Sequence, residues 1–185
     1  KIMSGTVGDN TARASGVIAS AGGGAILQVK AVQVTSTTSR SGSTPAAISA
    51  FDIAFTPTAA NSVLCLQLSL QASPDNQTMG GYFYDSTGGA KIMPYADAAS
   101  PRQRLTWGPT SSSTGALSTN TNFTVWFAPG DTTTRTIQVW ACADSSTTLY
   151  INRTYNDSSA STIYSARSAS TFTITEYDGS LVTVA

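Results

Sequence analysis

Residues 63–71 constrain the fold more than any other stretch of this chain. Leu64, Leu66, Leu68 and Leu70 alternate there with Cys65, Gln67, Ser69 and Gln71. Successive side chains of a strand point to opposite faces, so this segment reads as a strand with one apolar and one mixed face. A helix would scatter the four leucines around its circumference. Such a strand must be covered, and the rest of the sequence offers the partners. Leu27, Val29 and Ala31 alternate before Val32 and Val34 take the opposite phase, which predicts a bulge near residues 30–32. Phe51, Ile53 and Phe55 alternate next. Tyr82, Phe83 and Tyr84 follow Gly80-Gly81, and residues 90–93 are expected to pair with them across 85–89.

Further on, residues 102–107 read as a strand bounded by Pro101 and Gly108-Pro109. Phe123, Val125 and Phe127 form a hairpin with Ile137, Val139 and Ala141 in this reading, turned at Pro129-Gly130-Asp131. Leu149 and Ile151, then Phe172 and Ile174, mark two more strands. Asp178-Gly179 signals a final hairpin into residues 181–184. About ten strands at short intervals, without a helical period, describe an all-β antiparallel β-sandwich, jelly-roll-like, with no significant helix.

Composition agrees. Charged residues are 11% of the chain, against about 25% in an ordinary domain. Serine and threonine stand in their place, and threonine suits a pleated surface. Ten basic and ten acidic residues leave a net charge of zero, with no basic patch to attract nucleic acid or an anionic membrane. No apolar run approaches the ~20 residues of a membrane-spanning helix. The chain opens Lys1-Ile2-Met3-Ser4, which is not a signal-peptide pattern, and it is read as a fragment or a processed product. Residues 1–25 are aperiodic and end in Gly22-Gly23-Gly24, so they are expected to be an arm or linker outside a domain of residues 26–185. The two cysteines, Cys65 and Cys142, lie in apparent strands and are expected to be free and buried.

The last third has a cadence of its own: Leu149-Tyr150-Ile151-Asn152-Arg153, Asn156-Asp157-Ser158, then Ala169-Ser170, Ile174-Thr175 and Glu176. It resembles the C-terminal β-domain of fibre-like and decorating virion proteins of tailed bacteriophages, including those of cyanobacteria. The resemblance spans roughly residues 26–185, with short, Ser/Thr-biased motifs. The chain departs from the pattern at residues 178–185, where it adds a hairpin. The resemblance implies a homotrimeric component of a tail fibre, a spike or the capsid surface, at the virion surface and serving host attachment. The arm at residues 1–25, polar and glycine-hinged, is expected to make the contacts with other virion proteins. Capsid decoration is the nearest alternative. A monomeric carbohydrate-binding module is a reading from a different class, and a carboxylate-based glycan hydrolase ranks behind both.

Histidine is absent, which removes the Ser-His-Asp and Cys-His arrangements and the common zinc sites. Acidic residues fall mostly in turn contexts, at Asp75, Asp85, Asp144 and Asp178, where Asp is a turn former. Asp52 and Glu176 are read as lying within strands, with Glu176 paired to an arginine or set at a subunit contact. No catalytic residue, metal or cofactor is expected; were an ion bound, Asp131 or Asp157 would be its place. Trp126, Trp140 and Cys142 fall on the second face of the residue 123–141 hairpin and are expected at a subunit interface. Trp107, Arg153, Tyr155 and Tyr164 lie beside the loops at 108–121 and 153–170 and are expected to touch a ligand, such as a host surface glycan.

Overall fold

The computed structural model describes residues 26–74, 78–92, 103–111, 118–144, 147–155, 157 and 167–182, so the arm at 1–25 and Tyr164 lie outside the described residues. Among the described residues, twelve strands build two antiparallel sheets: β1 (Ile26–Val34), β2 (Thr38–Ser41), β3 (Ala46–Ala47), β4 (Ile53–Phe55), β5 (Val63–Pro74), β6 (Thr78–Asp85), β7 (Ala90–Lys91), β8 (Trp107–Ser111), β9 (Thr119–Phe127), β10 (Arg135–Ala143), β11 (Thr148–Ile151) and β12 (Ser170–Tyr177). The fold is an all-β sandwich. A 3-10 turn at Ser49–Phe51 interrupts it.

The first sheet is organised on β5. β12 and then β11 pair along one edge of it, β9 pairs along the other, β1 lies beyond β12, and β2 beyond β11. The second is organised on β10 and β6, with β3 and β4 beside β10, and β7 and β8 beside β6. Leu64, Leu66, Leu68 and Leu70 are buried, as their alternation requires, and share one core with Phe51 of the 3-10 turn and with Ile53, Phe55, Phe83, Ile137 and Val139 of the other sheet. Phe83 and Phe172 stack across that core with ring centroids 5.4 Å apart. Deep burial of some two dozen apolar side chains is the dominant stabilising term for such a domain.

Three expectations change. Strands β9 and β10 are not a hairpin: among the described residues β9 pairs with β5, and β10 with β6, β3 and β4, so the turn at 129–131 carries the chain from one sheet to the other. Alternation gives the face of each strand but not its neighbour. Strand β8 begins at Trp107 and runs through Gly108, rather than ending there. Gly108 has φ +101°, and a Cβ on it would stand 2.7 Å from the Met79 carbonyl, which is why glycine fits a strand here. Strand β1 pairs regularly from Gln28 to Val34, with its irregularity at Ile26/Gln28 instead of residues 30–32. Val29 therefore faces outward rather than being turned in by a bulge. At the C-terminal end Asp178 accepts from the Ser180 amide at 2.9 Å and the turn forms, while residues 183–185 lie outside the described set.

Candidate functional site

Both sheets have an outer face, and the candidate residues divide between them. On the first sheet the outward side chains run in rows across β1, β12, β5 and β9. One row is Val29, Thr175, Cys65 and Trp126; the next is Ala31, Thr173, Gln67 and Thr124; the third is Gln33, Thr171, Ser69 and Asn122. The last two rows form a polar ladder. The first is mostly apolar, its Thr175 and Cys65 buried and its Val29 54% and Trp126 37% exposed, and Ile26 at the end of β1 is also 54% exposed. Tyr177 completes this strip, its ring centroid 5.4 Å from that of Trp126. Cys65 is buried beneath, and burial pushes its thiol above the usual range.

On the second sheet the outward residues of β6 and β10 include Tyr82, Tyr84, Gln138, Trp140 and Cys142. Tyr82 and Tyr84 flank Trp140, with centroids 5.6 and 4.4 Å from it. The Trp140 indole donates to Gln138 Oε1 at 3.0 Å, and Gln138 donates to Asp52 at 2.9 Å. Residues 103–106 cross part of this face: the Thr106 amide bonds the Gly81 carbonyl at 2.8 Å, and Leu105 lies where a side chain on Gly80 would be. Cys142 is buried under this crossing, its thiol donating toward Gly80 O at 3.6 Å, and burial holds it protonated to higher pH than usual. The two cysteines occupy opposite outer faces and are both free.

These placements correct two expectations. Trp126, Trp140 and Cys142 do not share a face, because the strands that carry them belong to different sheets. Trp107 is no contact residue. It is 1% exposed, packs on Phe123 at 5.6 Å and fills the space that a side chain on Gly81 would take.

Arg153 and Tyr155 do come together beside Asp157. Arg153 lies 4.1 Å over the Tyr150 ring, Tyr155 packs on Tyr150 at 5.7 Å, and Asp157 faces Arg153 at 3.6 Å and Arg167 at 3.1 Å. The hydrogen bond from Arg167 holds the Asp157 carboxyl below its usual range. At Asp131 the Thr133 amide and then Arg135 do the same. Both carboxylates proposed for an ion are thus occupied by arginine. Among the described residues, no three of His, Cys, Asp and Glu converge as metal ligands.

The residues that carry the sequence cadence are largely structural. Asn152 is fully buried at φ 60°, a left-handed conformation that asparagine tolerates better than most residues. Its amide donates to Val34 O and Ser36 O at 2.7 and 3.0 Å, and its Oδ1 accepts from Ser170 at 2.6 Å. Glu176 is buried too, and it meets no arginine among the described residues. It accepts from Gln28 Nε2 at 2.6 Å, the Thr58 amide at 2.6 Å and the Thr58 hydroxyl at 2.8 Å. Burial pushes this carboxyl up, but bonds from Ser62, Gln28 and Thr58 outweigh it and hold it below the ordinary value. Asp52 follows the 3-10 turn instead of lying inside a strand.

No protein-family model matches the chain. No curated protein matches it. Among solved structures it is similar to that of the infectious bursal disease virus Gx strain, at 12% identity and a TM-score of 0.41 over 82% of this chain and 36% of that one. The VP2 subviral particle of infectious bursal disease virus is matched at 12% identity and a TM-score of 0.41, over 82% of this chain and 37% of that one. The chain spans little more than a third of the length of these structures.

Proposed function

We propose that this chain is a non-enzymatic virion structural protein of a tailed bacteriophage, a β-sandwich that assembles as a homotrimer in a fibre, a spike or a capsid-surface projection and serves host attachment. The phage origin and the number of copies rest on the sequence cadence from residue 149 to 176. The surface that joins the copies rests on the first sheet, and one observation carries it: Ile26, Val29 and Trp126 are exposed apolar residues along one edge of a β-sheet face whose remaining rows are Thr, Gln, Ser and Asn apart from Ala31. Single exposed apolar residues are ordinary, whereas a contiguous strip rimmed by polar residues marks a contact surface. A second copy would cover the strip and leave the polar ladder as rim, the usual anatomy of a subunit interface.

Mass in solution tests this. The wild-type chain should run as a trimer at micromolar concentration, and the pair Val29→Asp and Trp126→Asp should run as a monomer with an unchanged far-UV spectrum. A stable wild-type monomer would overturn the assembly. The alternative of a monomeric carbohydrate-binding module is favoured by one feature, the aromatic group of Tyr82, Tyr84 and Trp140 on the second sheet.

A further inference from the structure

The first sheet ends in two strands that no described backbone continues. Among the described residues β1 pairs with β12 alone and β9 with β5 alone. Natural sheets guard such edges with short strands, charges, proline or bulges, because a bare edge is a template for pairing. These two edges lack most of that protection. Each strand is nine residues long, and β9 carries no charge and no proline. The one charge on β1 is Lys30, which shares its face with buried Ile174 and donates to the Ala54 carbonyl at 2.8 Å. Gln28 likewise donates to the Thr56 carbonyl at 2.7 Å, so residues 54–56 flank β1 from the core side. The irregularity of β1 is confined to Ile26/Gln28.

Strand β12 is antiparallel to both β1 and β5, and β9 is antiparallel to β5, so β1 and β9 run in opposite directions. A β9 from a second copy laid beside β1 therefore continues the antiparallel order of the sheet. The rows match as well. Val29 and Trp126, both exposed, are the two ends of one row, with buried Thr175 and Cys65 between them. Continued into a neighbour, that row sets Trp126 of one copy against Val29 of the next on the same face. An aromatic beside a β-branched residue is a favourable cross-strand pair.

We infer that the copies join edge to edge, β9 of one beside β1 of the next, in a closed ring of three with the outer faces of the first sheets turned to the axis. This rests on the assembly reading above and specifies which surfaces meet in it. The two edges differ, so the contact is heterologous, and such a contact either closes into a ring or runs on as a fibre. One pairing engages nine residues a side, short of the ~20–30 of a standard interface, whereas a ring uses both edges of every copy and buries Val29 and Trp126 at once.

Cysteine pairs test it. Ala31 and Thr124 share the next row, are exposed, and leave the apolar row intact when replaced. Within one copy they stand three strands apart, about 14 Å at the usual strand spacing and too far for a disulfide. Between β1 and a neighbour's β9 they are direct neighbours. The full chain carrying Ala31→Cys and Thr124→Cys should therefore give a covalent trimer on mild oxidation, read on a non-reducing denaturing gel. A slip of two residues keeps every side chain on its face, so Ala31→Cys with Asn122→Cys, and Gln33→Cys with Thr124→Cys, cover the shifted registers. Each single variant should stay unlinked, and far-UV spectra check the fold. A wild-type trimer in which none of the pairs links would overturn the edge pairing and leave the assembly standing. A wild-type monomer would overturn both. Linked single variants would mean that like edges meet, and a covalent ladder running past three would mean an open fibre; either overturns the ring.

Discussion

The outer faces of the two sheets are both richer in apolar and aromatic groups than solvent alone would favour, yet they are handled differently. On the second sheet the chain covers part of its own face: residues 103–106 cross it, Leu105 lies over Gly80, and Trp107 then drops through the gap at Gly81 into the core. On the first sheet no described segment crosses the rows of Val29, Cys65 and Trp126, and among the described residues Val29 and Trp126 stay exposed. A face closed by its own chain is part of the fold; a face left open is available to another molecule. The glycines record the difference. Gly80 and Gly81 stand where a Cβ would strike Leu105 or Trp107, and the described part of the first sheet has no glycine in its strands.

The largest effect expected from breaking this contrast is at Trp107. Replacing it with alanine removes a fully buried indole and leaves the segment over the second sheet unanchored. Large-to-small changes of this kind cost about 3–5 kcal/mol. For a domain of this size that is a melting temperature lowered by roughly 10 °C. Calorimetry measures it, and a shift of only a degree or two would mean that residues 103–106 hold their place without the indole. Gly81→Ala should act in the same direction, because the new methyl has no room.

Trp140→Asp comes next. Its stacking with Tyr82 and Tyr84 is worth about 0.5–1.5 kcal/mol per aromatic pair beyond the buried area, so the domain should lose stability modestly. Its assembly should not change, since the strip on the first sheet is untouched. Light scattering that showed a monomer for this variant would erase the proposed division of labour between the faces.

Sequence pattern revealed a good part of this and missed a definable remainder. The alternation in residues 63–71 identified the central strand and its buried face, because a period of two is a local property. Alternation puts Trp126 and Trp140 opposite Val125 and Val139 within their strands, but it does not tell that they lie on different sheets, because sheet membership depends on long-range pairing that no period encodes. Val29 and Val34, apolar on opposite sides of β1, suggest a bulge from the sequence; they belong to a strand apolar on both faces, and the outer of these is the one the proposed assembly uses. Trp107 reads as the last residue of a strand at the root of a loop, because Gly108-Pro109 follows it. The signal that could have found its true place was Gly80-Gly81, a pair of missing side chains in the middle of a strand. Glu176 was a strand residue with apolar parity, which indicated burial but not its neutral hydrogen-bond partners.

The smallest effect expected is the pH response of Glu176, and it bears on the open face alone. The carboxylate ties Gln28 of β1 and Thr58 of the preceding loop to β12, so it fixes the strand that presents Val29. Its folded pKa lies below the ordinary value, burial being outweighed by the bonds from Ser62, Gln28 and Thr58. A carboxyl depressed in the folded state stabilises fully above its unfolded pKa, near 4.3, and that stabilisation is lost as pH falls through the folded value. Acidification below about pH 4 should therefore loosen β1 and dissociate the assembly before the near-UV signal of Tyr82, Tyr84 and Trp140 changes. Glu176→Gln keeps the shape and removes the titration. It should lower stability at neutral pH and flatten the acid dependence. Asp131, held below its usual range by the Thr133 amide and Arg135, also titrates in acid, so the comparison with Glu176→Gln is needed to assign the effect. If the wild type and Glu176→Gln lose assembly along the same acid curve, Glu176 does not hold the open face. The anchoring of β1 would then rest on its pairing with β12 alone.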